Sequence, residues 1–225
     1  MKTKTLFLLF AAPLIFTACN KNDSKDNTTS SAFINTNPGS TWTYHEDNSS
    51  GVSPASTDYT VTSTNQDTSI NGRKYHVYNY SYGGNQFLTA SGNDYYQFDS
   101  IPIAGASIPV DRLYLKSDAA EGATWSQDFS LPIQSVPIPV PLKATNKITE
   151  KGISRTINGT TYTNVTHVST SLSSALITSG FTSSIDSYYA PNYGMIENTT
   201  VINLDFSGIT ENINVTTKLM SSDLK

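Results

Sequence analysis

The sequence predicts an all-β, mainly antiparallel domain of two pseudo-repeated β-meander halves, forming a half-barrel or a sandwich. Three observations predict it. Thr, Ser, Asn and Tyr are abundant while Leu, Ala, Glu and Lys are sparse, a bias toward strands and turns. No stretch of twelve or more residues repeats its apolar positions at the helical period. Finally, the chain carries an internal echo in which Asn-Gly pairs are flanked on both sides by alternating apolar and polar residues.

In YTVTSTNQDTSI-NG-RKYHVYNYSY, the Asn71-Gly72 pair separates two alternating arms, and KITEKGISRTI-NG-TTYTNVTHVST repeats the arrangement around Asn158-Gly159. Asn-Gly between such arms is a hairpin signal, because a type I′ turn needs positive φ at both central residues. GFTSSIDSYYA, GMIENTTVINLDF and GITENINVTTKLM read as three further strands, joined at PNY and near Ser207-Gly208. PGSTW ends at Trp42 and EGATW at Trp125, 83 residues apart, while the Asn-Gly pairs stand 87 apart. A Tyr-Tyr pair closes each half, Tyr95-Tyr96 and Tyr188-Tyr189, at an offset of 93. The growing offset reads as small insertions in the second half, and the halves fall at about residues 37–120 and 121–225.

Two stretches, IPIAGASIPV (101–110) and LPIQSVPIPVPL (131–142), alternate proline with Ile, Val or Leu. Proline cannot donate to a ladder, so these read as edge strands or extended polyproline-like segments. Their apolar residues require cover, either by folding over an open sheet end or by a ligand or partner.

The first residues have the layout of a secretory signal. Lys2 and Lys4 precede an apolar run from Leu6 to Phe16, followed by Thr17-Ala18 and Cys19, the one cysteine of the chain. The run is shorter than the about 20 apolar residues needed to span a bilayer. The segment FTAC resembles the lipobox of bacterial lipoproteins, with Phe16 where Leu is usual. That resemblance implies a signal peptide over residues 1–18 and acylation at Cys19. Residues 19–36, polar and nearly free of large apolar side chains, read as a lipidated flexible tether. The single all-β domain then runs over 37–225. Asn20, not Asp, follows the cysteine, which in proteins of this kind is compatible with transfer to the outer membrane; either face is open.

Removing residues 1–18 leaves 12 basic and 18 acidic residues, a net charge of −6. A mildly acidic domain without a basic stripe argues against nucleic acid as a partner and against electrostatic docking on anionic lipid. No cofactor and no metal is expected: HExxH, paired CxxC, EF-hand, P-loop, GxGxxG and GxSxG patterns are all absent. Of the three histidines, His76 and His167 read as strand-face residues. His45 stands beside Glu46 and Asp47, but successive strand residues face opposite ways and cannot all converge on one ion. Asp94, Asp99, Asp186 and Glu197 are the acids from which a glycosidase pair would have to be drawn across the two Tyr-Tyr motifs. No catalytic residue is assigned. Asp99-Ser100-Ile101 resembles a short O-glycosylation motif of some envelope proteins.

The aromatic load is the suggestive feature. Trp42, Tyr44, Tyr75, Trp125, Tyr162 and Tyr193 accompany a set chosen as candidate ligand-binding residues: Tyr78, Tyr80, Tyr82, Tyr95, Tyr96, Tyr188 and Tyr189. Alternation predicts Tyr78, Tyr80 and Tyr82 on one strand face, where a flat ring with a polar tip can stack on sugars or line a lipid groove.

Ile157 to Val165, reading [IV]-N-G-x-x-Y-x-N-V, and Tyr188 to Ile196, reading YYAxxxGxI with Gly194 as turn glycine, resemble a pattern of uncharacterised bacterial outer-membrane lipoproteins. Some of these are similar to half-barrel lipoprotein-carrier domains, whose curved sheet cups an apolar ligand. The resemblance implies no catalytic residues. The expectation is therefore a non-catalytic envelope lipoprotein binding an apolar molecule or a glycan on an aromatic concave face. A structural component docking another envelope protein through the Pro-rich edges is the alternative, and an envelope-sugar hydrolase the weaker one.

Overall fold

The structure, a computed structural model, describes residues 32–51, 54–103, 106–132 and 139–225. Cys19, the signal segment and most of the tether lie outside the described residues. Twelve strands follow in chain order: β1 Thr41–Asn48, β2 Ser56–Ile70, β3 Arg73–Tyr80, β4 Asn85–Ser91, β5 Asp94–Ile103 and β6 Ala106–Lys116; then β7 Thr124–Leu131, β8 Val140–Ile157, β9 Thr160–Ser173, β10 Phe181–Ala190, β11 Gly194–Phe206 and β12 Ile209–Asp223. They form one antiparallel sheet in the order β6-β5-β4-β3-β2-β1-β12-β11-β10-β9-β8-β7. Two six-stranded meanders are thus joined where β1 pairs with β12, and the sheet curls into a nearly closed barrel.

Both Asn-Gly pairs sit at hairpin tips with positive φ at each residue, Asn71 at 51° and Gly72 at 81°, Asn158 at 46° and Gly159 at 79°. These are the type I′ turns expected of the sequence. Trp42 and Trp125 occupy the first strand of their respective meanders, and the Asn-Gly turns join the second and third strands of each. The Tyr-Tyr pairs do not correspond: Tyr95-Tyr96 lies in the fifth strand of its meander and Tyr188-Tyr189 in the fourth. The larger offset of that pair therefore reflects a different strand, not a local insertion.

The seam between β6 and β7 has no backbone ladder and is bridged by side chains. Gln127 donates from Nε2 to the Asp111 carbonyl (2.9 Å) and accepts at Oε1 from the Leu113 amide (2.8 Å). Trp125 Nε1 donates to the Leu113 carbonyl (2.8 Å). Lys151 reaches the carbonyls of Ser117 and Ala119 in the connection that follows β6.

The Pro-rich stretches lie on either side of this seam. Residues 101–103 and 106–110 pair within the β5–β6 hairpin, with Ile101 opposite Ile108. That part is ladder, not polyproline, and β6 is an edge strand. Of the second stretch, residues 133–138 lie outside the described residues. Leu131, Val140 and Leu142 are buried in a cluster with Ile177 and Leu204, at the end of the barrel away from Phe33. The side chains of Leu131, Val140 and Leu142 are thus covered within the domain.

The segment from residue 32 to 36, assigned by the sequence to the tether, packs into the domain. Phe33 is buried with Tyr95, Tyr114, Leu115, Val168 and Tyr189. Its amide donates to Tyr95 Oη (3.3 Å), Tyr78 Oη donates to the Asn35 carbonyl (2.9 Å), and Asn192 N donates to the Ala32 carbonyl (2.8 Å). Phe33 and its neighbour Ile34, which packs against the same cluster, seat the segment as a floor for the barrel. The domain thus includes Phe33.

Candidate functional site

The barrel encloses a cavity of about 480 Å³. Its walls follow from strand alternation, since every second residue of each strand points inward. On β1 to β3 these are Trp42, Tyr44, Tyr59, Val61, Tyr78 and Tyr80. Leu88, Gln97, Asp99, Val110, Arg112 and Tyr114 continue the wall over β4 to β6. The second meander contributes Phe129, Leu142, Ala144, Leu172, Ile185, Tyr189 and Ile202 among others, and Phe33 to Asn35 line the floor.

The rings are packed against one another. Trp42 meets Tyr78 edge-on at 5.9 Å, Tyr44 stacks on Tyr59 at 5.5 Å, and Tyr114 lies 5.2 Å from Tyr189. Burial pushes the phenols of Tyr44, Tyr59, Tyr78, Tyr80, Tyr114 and Tyr189 above the ordinary tyrosine range. The aromatic wall therefore stays neutral at physiological pH, and its hydroxyls remain donors.

Polar wall residues on the second meander satisfy one another. Thr170 donates to Asn146 Oδ1 (2.7 Å), Asn198 Nδ2 to Ser187 Oγ (2.9 Å), and Thr200 to Asn198 Oδ1 (2.9 Å). The first meander is different. Arg112 Nη2 stands 3.7 Å from Asp99 Oδ2, beyond hydrogen-bond distance, while Asp99 accepts from Gln97 Nε2 (3.2 Å) and Ser100 N (2.7 Å).

The seven tyrosines singled out by the sequence separate into groups. Tyr78, Tyr80 and Tyr189 line the cavity. Tyr95 lies beneath it, in the cluster around Phe33. Tyr82 does not share the strand face of Tyr78 and Tyr80, because β3 ends at Tyr80 and Gly83 and Gly84 turn the chain back with positive φ. It is 66% exposed, yet stacks on Tyr80 at 4.9 Å and meets Tyr59 edge-on. Tyr96 and Tyr188 are on the outer face, since each neighbours an inward residue. Arg73 lies over the Tyr96 ring at 3.6 Å, and Tyr188 is held between Arg155 (3.4 Å) and the His167 ring (4.1 Å). Trp42, Tyr44 and Tyr193 belonged to the aromatic load of the sequence and line the cavity. Tyr59, Tyr114 and Arg112 were missed, though the inward series Val110, Arg112, Tyr114 is legible as alternation in VDRLYLK.

The acids considered for a glycosidase pair are separately engaged. Asp94 pairs with Lys116 (3.2 Å), Asp186 with His167 (2.8 Å), and Glu197 with Arg155 (2.5 Å), while Asp99 stands in the cavity wall. His45 lies between Asp58 (2.5 Å) and Asp47 (3.3 Å), and His76 between Asp67 and Ser63 (2.9 Å each). Among the described residues no group of three or more His, Cys, Asp or Glu is arranged to hold a metal ion.

No family model matches the chain, and no curated protein matches it either. Two solved structures are similar to it. One is a candidate lipoprotein from Parabacteroides distasonis, at 11% identity and TM-score 0.44, covering 85% of this chain and 98% of that one. The other is a candidate exported protein with a YmcC-like fold from Bacteroides fragilis, at 9% identity and TM-score 0.44, with the same coverage.

Proposed function

We propose that this is a non-catalytic envelope lipoprotein, held at the outer membrane through Cys19, whose barrel interior binds an amphiphile with a long apolar part. The observation that carries the reading is the cavity of about 480 Å³ walled by neutral aromatic rings. Its size falls within the roughly 300–1,000 Å³ of small-molecule sites, and its composition, mostly apolar with a few polar groups, is what such sites use. Burying an alkyl chain there gains about 0.8 kcal/mol per methylene. Sugars are the weaker fit, because most of the polar wall groups are already hydrogen-bonded to one another.

Native mass spectrometry of the Cys19→Ala chain, exported in its own host and purified without detergent, tests the reading. A discrete added mass lost on denaturation is expected. Ala144→Phe, which fills the cavity from β8, should abolish it. A bare mass for the unfilled cavity would overturn the proposal. The anchor is tested separately: Cys19→Ala should leave the membrane fraction, and a variant that still pellets with membranes contradicts the lipid attachment.

A further inference from the structure

Among the described residues, two buried side-chain polar atoms have no hydrogen-bond partner: Trp42 Nε1 and Arg112 Nε. Both are N–H donors. Both belong to residues that line the cavity, Trp42 on β1 and Arg112 on β6, with four strands between them. A buried donor left without an acceptor carries an uncompensated desolvation cost, larger where it is charged. Trp42 is 95% buried, its relative exposure being 5%. Arg112 has a carboxylate nearby, but Asp99 accepts from Gln97 and Ser100 and makes no hydrogen bond to the guanidinium. Arg112 lines the cavity and keeps an ion-pair contact of 3.7 Å with Asp99 in place of a hydrogen bond.

The geometry points to an anionic acyl amphiphile as the occupant: an apolar chain against the aromatic wall, with carboxylate-type oxygens set against Arg112 and a further acceptor oxygen within reach of Trp42. This rests on the binding reading above and narrows it by charge. Both orphaned groups are donors, so the occupant's polar atoms are acceptors. A guanidinium further selects oxygens bearing negative charge, which it binds in a planar fork. An amphiphile with a cationic head would meet Arg112 with like charge and offer the Trp42 N–H no acceptor.

Three probes of one chain length separate the possibilities: dodecanoate, dodecanol and dodecyltrimethylammonium, titrated into the Cys19→Ala chain below their micelle concentrations. Dodecanoate is expected to bind at least about tenfold tighter than dodecanol, as one charge-assisted hydrogen bond implies. The ammonium should bind weakest. Arg112→Gln should abolish the preference for dodecanoate over dodecanol, with a urea midpoint close to that of the parent. If dodecanol binds and dodecanoate binds no better, the charge selection is overturned and the apolar cavity stands. An unchanged dodecanoate preference in Arg112→Gln overturns the role of Arg112. If none of the three binds, both readings fall together.

Discussion

Gln127 and Leu113 are joined as residues of adjacent strands would be. The Gln127 side-chain amide accepts from the Leu113 N–H and donates to the Asp111 carbonyl, taking the place of a peptide group across the β6–β7 seam. One side chain thus satisfies two edge groups that would otherwise be open to pairing with another chain. Gln127→Glu keeps an acceptor for Leu113 but sets an oxygen against the Asp111 carbonyl. It should lower the unfolding free energy by about 1–3 kcal/mol. Hydrogen exchange resolved to the Leu113 amide should accelerate in Gln127→Leu, and unchanged exchange there would contradict the bridging role.

Phe33 makes the floor part of the domain. A chain beginning at residue 37 should unfold at lower urea than one beginning at residue 32, and Phe33→Ala should cost about 3 kcal/mol in the longer chain. Equal urea midpoints for the two lengths would show that the floor adds no stability.

Gly194 meets this floor from β11. Its φ is +72°, and a Cβ there would stand 3.1 Å from the Phe33 carbonyl. Gly194→Ala should destabilise by about 1–2 kcal/mol, combining the left-handed backbone with the close approach. Equilibrium unfolding of the variant measures it.

The buried phenols govern behaviour in alkali. Their folded pKa values are raised by burial, so the neutral form is favoured in the native state. That contribution is fully present below the unfolded tyrosine pKa of about 10 and is lost as pH rises toward the folded values. Absorbance at the tyrosinate band should therefore rise in two phases. The second should coincide with loss of far-ultraviolet β signal; a single phase completed before unfolding would contradict the buried ring set.

His45 titrates in the opposite compartment, on the solvent side. The hydrogen bond that His45 donates to Asp58, with Asp47 second among the favourable partners, raises its pKa above the ordinary 6.5. Stability from this charged pair is present below the unfolded value and lost as pH climbs through the folded one. Proton NMR of the His45 ring should give a midpoint above 6.5, which Asp58→Asn brings down. An unmoved midpoint would show that Asp58 is not the cause.

Much of the fold was legible in the sequence because turns and alternation are local. Asn71-Gly72 and Asn158-Gly159 announce their hairpins, and the last three strands can be read between Gly180 and Met220. Closure was not legible, since the pairing of Thr41 with Asp223 leaves no local mark. The tyrosines of the cavity were only half recoverable. Alternation tells which residues share a face, but a Tyr-Tyr pair always gives one ring to each side, and Tyr96 and Tyr188 fell outside. Arg112 escaped notice because one arginine in a strand is usually solvated; its orphaned Nε emerges only from packing. Phe33 looked like part of a polar tether because one aromatic does not change a segment's composition.

The single ladder between β1 and β12 also sets how the domain must assemble. The other ten ladders join consecutive strands, so each can form as a local hairpin. Bringing Thr41 to Asp223 closes a loop of nearly the whole domain, an entropic cost of about 4–5 kcal/mol beyond a constant. That closure is expected to be the slow, late step of folding, in a topology whose remaining contacts are short-range. Lys225 N donates to Ser40 Oγ at 3.0 Å, so the strands that meet last are already within a short linker of each other. A permuted chain joined there and opened between β6 and β7 would turn the one distant pairing into a hairpin and move the slow step out of the folding path.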